Sequence, residues 1–267
     1  MLRKIPEYRR YFMELAYHGK PYHGWQIQPN APTVQETLTK ALSIILKHDL
    51  NIVGAGRTDT GVHAAHFVAH FDWTGKDFST SDLAYKLNRY FPNNIRIDNI
   101  QEVDPQTHCR FSASKRTYHY LISREKSTFF SDYTWFLYND LDISKMNAAS
   151  EILLNKSDFT SFARLHADTK TNICQLFKAA WTEKGSILVF EISADRFLRN
   201  MVRAIVGSLV EVGKGKTSLD DFDRIIQQMD RSAAGQSAPA HGLFLSRIDY
   251  PSELFQIHPK NPFPDLF

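Results

Sequence analysis

The sequence predicts an α+β protein built in two halves, and three observations lead there. Segments that alternate apolar and polar residues with the period of a strand are interleaved with segments whose apolar residues recur at helical spacing. The same mixture runs through the first and the second part of the 267 residues, a length that suits one large domain or two smaller ones. A break falls near Asp104 and Pro105, which sets the expected domains at 1–104 and 105–267. Two such halves, with mostly antiparallel sheets and helices laid on one face, would leave a cleft between them.

Taken in order, "YFMELAY" (11–17) reads as a strand and "TVQETLTKALSIILKH" as a helix. Thr33 and Glu36 fit a capping box, and Val34, Leu38, Leu42 and Ile45 form its apolar stripe. "NIVGAGRTDTGVHA" (51–64) follows as a strand that breaks into a glycine-rich loop. In "HFVAHFDW", Phe67, Ala69, Phe71 and Trp73 alternate with His66, Val68, His70 and Asp72, as on a strand. A helix over "SDLAYKLNRYF" and a strand at "IRIDNIQEV" complete the first half. In the second half "RTYHYLIS" is a strand, "ISKMNAASEILL" a helix and "FKAAWTEKGSILVFEISA" a hairpin turning near Gly185. A long helix is expected from about Arg196 to Val212, ended by Gly213, then one at "SLDDFDRIIQQM" capped by Ser218 and Asp221, then a strand at "LFLSRIDY".

Composition excludes whole classes. With 43% hydrophobic, 23% charged and 13% aromatic residues, the chain is not disordered, collagen-like or a disulfide scaffold. "MLRKIPEYRR" meets charge before any apolar run, and no segment approaches the ~20 consecutive apolar residues of a membrane span. Two cysteines, Cys109 and Cys174, suit a reducing compartment, so the expectation is a soluble cytoplasmic protein with no membrane partner. Net charge is only +3. Its distribution is more telling: five basic residues against one acid between Arg110 and Lys126, with Tyr118 and Tyr120 among them, and five against one between Arg196 and Lys216. Basic patches interleaved with aromatics are a footprint of a polyanion such as nucleic acid, and also of a plain solvated face.

Three constellations could carry chemistry. His63, His66 and His70 suggest a metal by helical spacing, but on a strand His66 and His70 stand roughly 13 Å apart, too far for one ion with bonds of ~2.1 Å. They read as polar residues of a sheet face. The loop Gly54-Ala55-Gly56-Arg57-Thr58 lacks the Lys of a phosphate-binding loop, and the dinucleotide fingerprint fails because the next segment is a strand. What remains is Asp59 beside Arg57. Either Asp59 merely caps a turn at Thr60 or Gly61, or it is a reactive carboxylate held ionised by a cation on a loop that glycines let approach a ligand. Arg196, Arg199 and Arg203 would fall within ~60° on a helix and form a basic stripe, either solvated or able to grip phosphates or pair with a carboxylate.

"GRTDTGVHA" resembles the catalytic segment of the TruA family of transfer RNA pseudouridine synthases. "YHGKPYHGWQIQP" with "TVQETLTKAL" resembles that family's amino-terminal strand, loop and helix. "RFSASKRTYHYLI" resembles its tyrosine-bearing strand, "FLRNMVRAIVGSLVEVGKGK" its arginine-bearing helix, and "SAPAHGLFL" its carboxy-terminal loop and strand. Departures are mild: His18 stands where an Asp before the glycine is usual, and Asn94 where an Asp is common. The resemblance implies two similar α+β halves with the active cleft between them. It implies isomerisation of uridine to pseudouridine in the anticodon stem-loop of tRNA, with no metal and no cofactor, by a homodimer. Residue by residue it implies Asp59 as nucleophile, Tyr118 stacked on the flipped base, Arg203 paired with Asp59, Arg57 holding the nucleotide out of its stack, and Leu243 lining the pocket. Apart from the resemblance, Tyr118 and Tyr120 alternate on one strand and either ring could simply be core. The competing reading is a catalytically inactive tRNA-binding protein, which the Asp argues against: a carboxylate facing a polyanion repels it unless the chemistry needs it.

Overall fold

A computed structural model describes residues 8–138, 140–164, 170–264 and 266. The chain is mixed α/β with mostly antiparallel strands, and its contacts divide it into two compact units, Met1–Ser114 with Leu245–Pro262, and Lys115–Phe244 with Phe263–Phe267. The sequence sets the division at 104/105; the contacts set it after Ser114. The turn that follows Asp104 is fastened to the first unit by Arg10 Nη1, which donates to the Thr107 carbonyl at 3.1 Å, and by Cys109 N, which donates to His70 Nδ1 at 3.3 Å.

In the first unit the strands are β1 (Arg9–Tyr17), β2 (Ile52–Gly54), β3 (His63–Trp73) and β4 (Ile95–Val103), with α1 (Val34–Leu46) and α2 (Thr80–Tyr90) between them. β1 lies between β4 and β3, antiparallel to both, and β2 pairs with β3 at Ile52↔Phe71 to Gly54↔Ala69. The last strand, β9 (Leu243–Asp249), returns to this unit from Leu245 onward and joins β3. α1 begins where its cap residue is: Thr33 Oγ1 accepts the Glu36 N–H at 3.3 Å, and Val34, Leu38, Ala41 and Leu42 are its buried stripe. Glu36 completes no box; its carboxylate reaches Lys40 at 2.5 Å instead.

β3 departs from the expected alternation, since every residue but Asp72 is buried. Both faces are covered, which is why the chain can place Phe67 and Phe71 on one side and His66 and His70 on the other without exposing either. Part of the cover is the segment after β9, whose Tyr250 and Phe255 rings meet Phe12 at 5.6 and 5.1 Å. The buried histidines are each bonded to a different part of the chain. His63 Nδ1 accepts the Gly19 N–H at 3.1 Å, His66 Nδ1 accepts that of Ile248 at 3.1 Å, and His70 Nδ1 accepts that of Cys109. His66 therefore carries its proton on Nε2 and donates it to Glu14 at 3.0 Å.

The second unit holds the hairpin β7 (Leu176–Lys184) and β8 (Ile187–Ala194), which turns at Gly185 with φ +60°, and β5 (Lys115–Ser123) antiparallel to β8. Two-residue β6 (Trp135–Phe136), unseen in the sequence, runs parallel to β5. The helices are α3 (Ile143–Leu154), α4 (Met201–Gly213) and α5 (Leu219–Gln227), the last capped by Ser218 Oγ, which accepts the Asp221 N–H at 3.1 Å. α4 is buried almost all round, the signature of a core helix rather than a surface one. No helix among the described residues is long and apolar enough to cross a membrane.

Candidate active site

The loop between β2 and β3 carries Arg57 and Asp59, and its shape follows from its glycines. The Val62 N–H closes a turn onto the Asp59 carbonyl at 3.1 Å, with Gly61 at φ +78° in the third position. That is the left-handed conformation a type II turn requires there and that Gly adopts without strain. The neighbouring 19–25 segment braces the loop. Trp25 N donates to the Thr58 carbonyl at 3.2 Å, and the hydroxyls of Thr58 and Tyr17 meet at 2.9 Å in the interior. Gly24, at φ +83°, passes so close that a Cβ there would lie 2.4 Å from the Thr58 carbonyl oxygen.

Alternation along the loop then sets exposure: Arg57 is exposed, Thr58 buried and Asp59 half-buried. The buried Thr58 is thus the peg that turns its two charged neighbours outward. The glycines divide into two kinds. At Gly54 a Cβ would strike the Trp25 ring at 2.5 Å, so that glycine serves packing, Trp25 in turn stacking on Phe67 at 4.2 Å. At Gly56 a Cβ would meet nothing within 4 Å. Packing asks for no glycine there, and the space it leaves open adjoins Arg57.

The two departures from the family pattern are neighbours. His18 N donates to the Asn94 carbonyl at 2.9 Å, Tyr22 Oη donates to Asn94 Oδ1 at 3.1 Å, and the His18 ring packs on His63 at 4.7 Å. They serve the bracing segment rather than the Asp59 turn itself.

Tyr118, Arg203 and Leu243 belong to the second unit. On β5, Tyr120 is the core ring: it is fully buried, its Oη donates to the Pro239 carbonyl at 2.8 Å, and burial holds its hydroxyl proton well above the usual range. Tyr118 is half-buried and meets the Phe197 ring edge-on at 5.1 Å. The choice that alternation leaves open is thereby made for Tyr120. Leu243 is buried, directly after the short 3₁₀ turn Ala240–Gly242.

The expected arginine stripe does not exist as a stripe. The helix starts at Met201, not near Arg196, because Asn200 takes φ +67° and the Asp195 carboxylate binds the Arg196 N–H at 2.7 Å. Asn is among the few non-glycine residues that tolerate the left-handed region. Arg196 and Arg199 therefore lie on an irregular segment, Arg196 Nη1 donating to the Thr171 carbonyl at 3.4 Å and the Arg199 carbonyl accepting the Arg164 N–H at 3.1 Å. Arg203 alone is helical. Its Nε donates to the Ala238 carbonyl at 2.7 Å, and Asn200 Nδ2 donates to Ser237 Oγ at 2.7 Å. The 235–239 segment thus lies along the start of α4, where a Cβ on Gly207 would fall 1.9 Å from the Gln236 carbonyl oxygen. Sequence reasoning missed this clasp; the glycine in mid-helix at 207 was the local signal for it.

A family model described as tRNA pseudouridine synthase matches residues 15–112 and 149–251. A tRNA pseudouridine synthase A of Bacteroides fragilis is 52% identical over 93% of this chain and 99% of its own. One from Parabacteroides distasonis is 49% identical over 93% and 99%, and one from Francisella tularensis 38% over 93% and 96%. Both matched stretches of the family model take in the segments that carry Asp59 and Arg203, and the chain belongs to the tRNA pseudouridine synthase family.

Proposed function

We propose that the chain isomerises uridine to pseudouridine in the anticodon stem-loop of tRNA, with Asp59 as the nucleophile, in a cleft between its two halves. The observation that carries this reading is the Asp59 turn: a half-buried carboxylate presented by a braced loop, beside an exposed Arg57 and an unfilled space at Gly56, in a chain half identical to a tRNA pseudouridine synthase A.

The chemistry asks for what these residues offer. The bond from the ribose carbon to N1 breaks, the base turns, a bond to C5 forms, the proton on C5 leaves and N1 takes up a proton. The target base first leaves its stack at a cost of a few kcal/mol, and a ring such as Tyr118 returns ~1–3 kcal/mol by stacking on it. Arg57 helps hold the nucleotide out of its stack, while Leu243 supplies an apolar wall. Arg203, whose Nε donates to the Ala238 carbonyl, is the cation that pairs with Asp59 and aims that carboxylate. A homodimer in the cytoplasm completes the reading.

Release of tritium from tRNA carrying 5-tritiated uridine tests it. The wild type should release tritium, and Asp59→Ala should abolish release while keeping tRNA binding. Equal release by both removes Asp59 from the nucleophile role. Binding without release by the wild type, on several tRNAs, would establish the inactive binder instead.

A further inference from the structure

Outside the Asp59 loop, a second chemical cluster sits in the first unit. His70 comes from β3, while His108 and Cys109 come from the turn that follows β4. One donor atom of each lies within 4.8 Å of those of the other two. The two imidazoles meet at 4.8 Å with their planes 78° apart. His70 and Cys109 are buried, and His108 is half-buried, so the cluster opens to solvent on one side.

The turn that supplies two of the three donors is held before any ligand arrives. Tyr250 Oη donates to the Cys109 carbonyl at 2.5 Å, the Ser112 N–H bonds the His108 carbonyl at 2.9 Å, and His108 N donates to Ser112 Oγ at 3.0 Å. Such preorganisation lowers the cost of binding. The geometry is near that of a bound ion: tetrahedral zinc, with bonds of ~2.1 Å to nitrogen and ~2.3 Å to sulfur, spaces its donors ~3.3–3.6 Å apart. The rings and the thiol need move together by only about 1 Å, within reach of side-chain torsions.

We propose that His70, His108 and Cys109 bind a zinc ion that fastens the 104–114 turn to β3, with water in the fourth position on the exposed side of His108. The donor set selects the metal, since one thiolate with two imidazoles suits zinc and not magnesium or calcium. His70 Nδ1 now accepts the Cys109 N–H at 3.3 Å and His108 Nδ1 accepts those of Arg110 and Phe111 at 3.1 and 3.4 Å, and zinc takes the place of these bonds at each ring. The thiol now donates to the Val53 carbonyl at 3.3 Å. On binding, that S–H gives up its proton to water and the sulfur–zinc bond takes its place, so the site gains one positive charge. Arg10 and Arg110 oppose that gain; Asp72 offsets it by gripping Arg10 at 2.7 and 2.9 Å. The role is structural and separate from the chemistry at Asp59. Sequence spacing could not reveal it, because two of its members lie more than thirty positions from the third.

Metal content and cobalt substitution of the full chain decide the matter. The wild type should hold one zinc per chain. Cobalt should give the near-ultraviolet charge-transfer absorption of a thiolate ligand in the wild type and in Cys174→Ser, but not in Cys109→Ser. Cys174, buried with its thiol pushed up to about 11 by that burial, is the control. Added zinc should raise the Tm of metal-free wild type while magnesium does not, and His108→Gln, at a half-exposed position, should weaken zinc binding by about tenfold or more even if Cys109→Ser fails to fold. A metal-free wild type that neither takes up zinc nor gains Tm, or a cobalt band that survives in Cys109→Ser, overturns the proposal.

Discussion

Arg203 holds Ala238 at both of its main-chain groups: the Arg203 carbonyl accepts the Ala238 N–H at 2.9 Å, and Arg203 Nε donates to the Ala238 carbonyl at 2.7 Å. A guanidinium fixed through Nε has a set direction for its remaining donors. That distinguishes Arg203 from Arg199, which lies exposed before the helix begins.

Arg203→Ala should therefore lower tritium release at saturating tRNA by about 100-fold, the scale of losing one positioned charge or donor. Arg203→Lys should recover little, because an ammonium cannot bond Ala238 and still reach forward as a planar fork does. Arg199→Ala should stay within a few-fold of the wild type. The reverse ranking would move the pairing role to Arg199.

Gly24 and Gly56 separate bracing from clearance. Gly24→Ala forces φ +83° on a residue with a Cβ and drives that atom into the Thr58 carbonyl. The expected cost is on the order of 1–3 kcal/mol or more, with a lower Tm and lower activity together. Gly56→Ala meets no neighbour, so its Tm should hold within what about 1 kcal/mol would shift, while kcat/KM falls. Unchanged activity in Gly56→Ala would remove the nucleotide from that space.

What the sequence revealed was what is local. The strands around Phe67 and Phe71, the Thr33 cap, the hairpin at Gly185 and the glycine-rich turn at Asp59 all follow from periodicity or turn chemistry within a dozen or so residues. The start of α4 misled because Arg196, Arg199 and Arg203 have helical spacing, yet the carboxylate of Asp195 and the left-handed Asn200 hold the first two outside the helix. The partners of the buried polar groups left no local trace. Glu14 accepts from His66, Asn99 and the His258 N–H, and His66 reaches Ile248, pairings set by strand order and by the return of the chain after β9.

Tyr118 and Tyr120 should part in their effects although both lie on β5. Tyr120→Phe removes the hydroxyl that donates to the half-buried Pro239 carbonyl, an expected loss of ~1 kcal/mol seen as a lower midpoint in urea. Tyr118→Ala should leave that midpoint nearer the wild type and instead lower kcat/KM by about 5- to 150-fold, the kinetic equivalent of a lost base stack. If Tyr118→Ala is the more destabilised of the two, its ring is core and another aromatic carries the base.

Acid should find the second unit at Glu191. Its carboxyl is held at about 2 by the neighbouring His119 ring, 3.8 Å away, helped by Lys178 at 2.6 Å, against burial that alone would raise it. A carboxylate with a depressed folded-state pKa contributes stability that is present above its unfolded value of ~4.3 and is lost as pH falls toward the folded value. The midpoint of unfolding should therefore decline between pH ~4.3 and about 2. Glu191→Gln, already neutral, should be less stable than the wild type at pH 7 and converge on it in acid. Parallel curves for the two proteins across that window would mean that the β5–β8 pairing, not the carboxylate, sustains this face of the sheet.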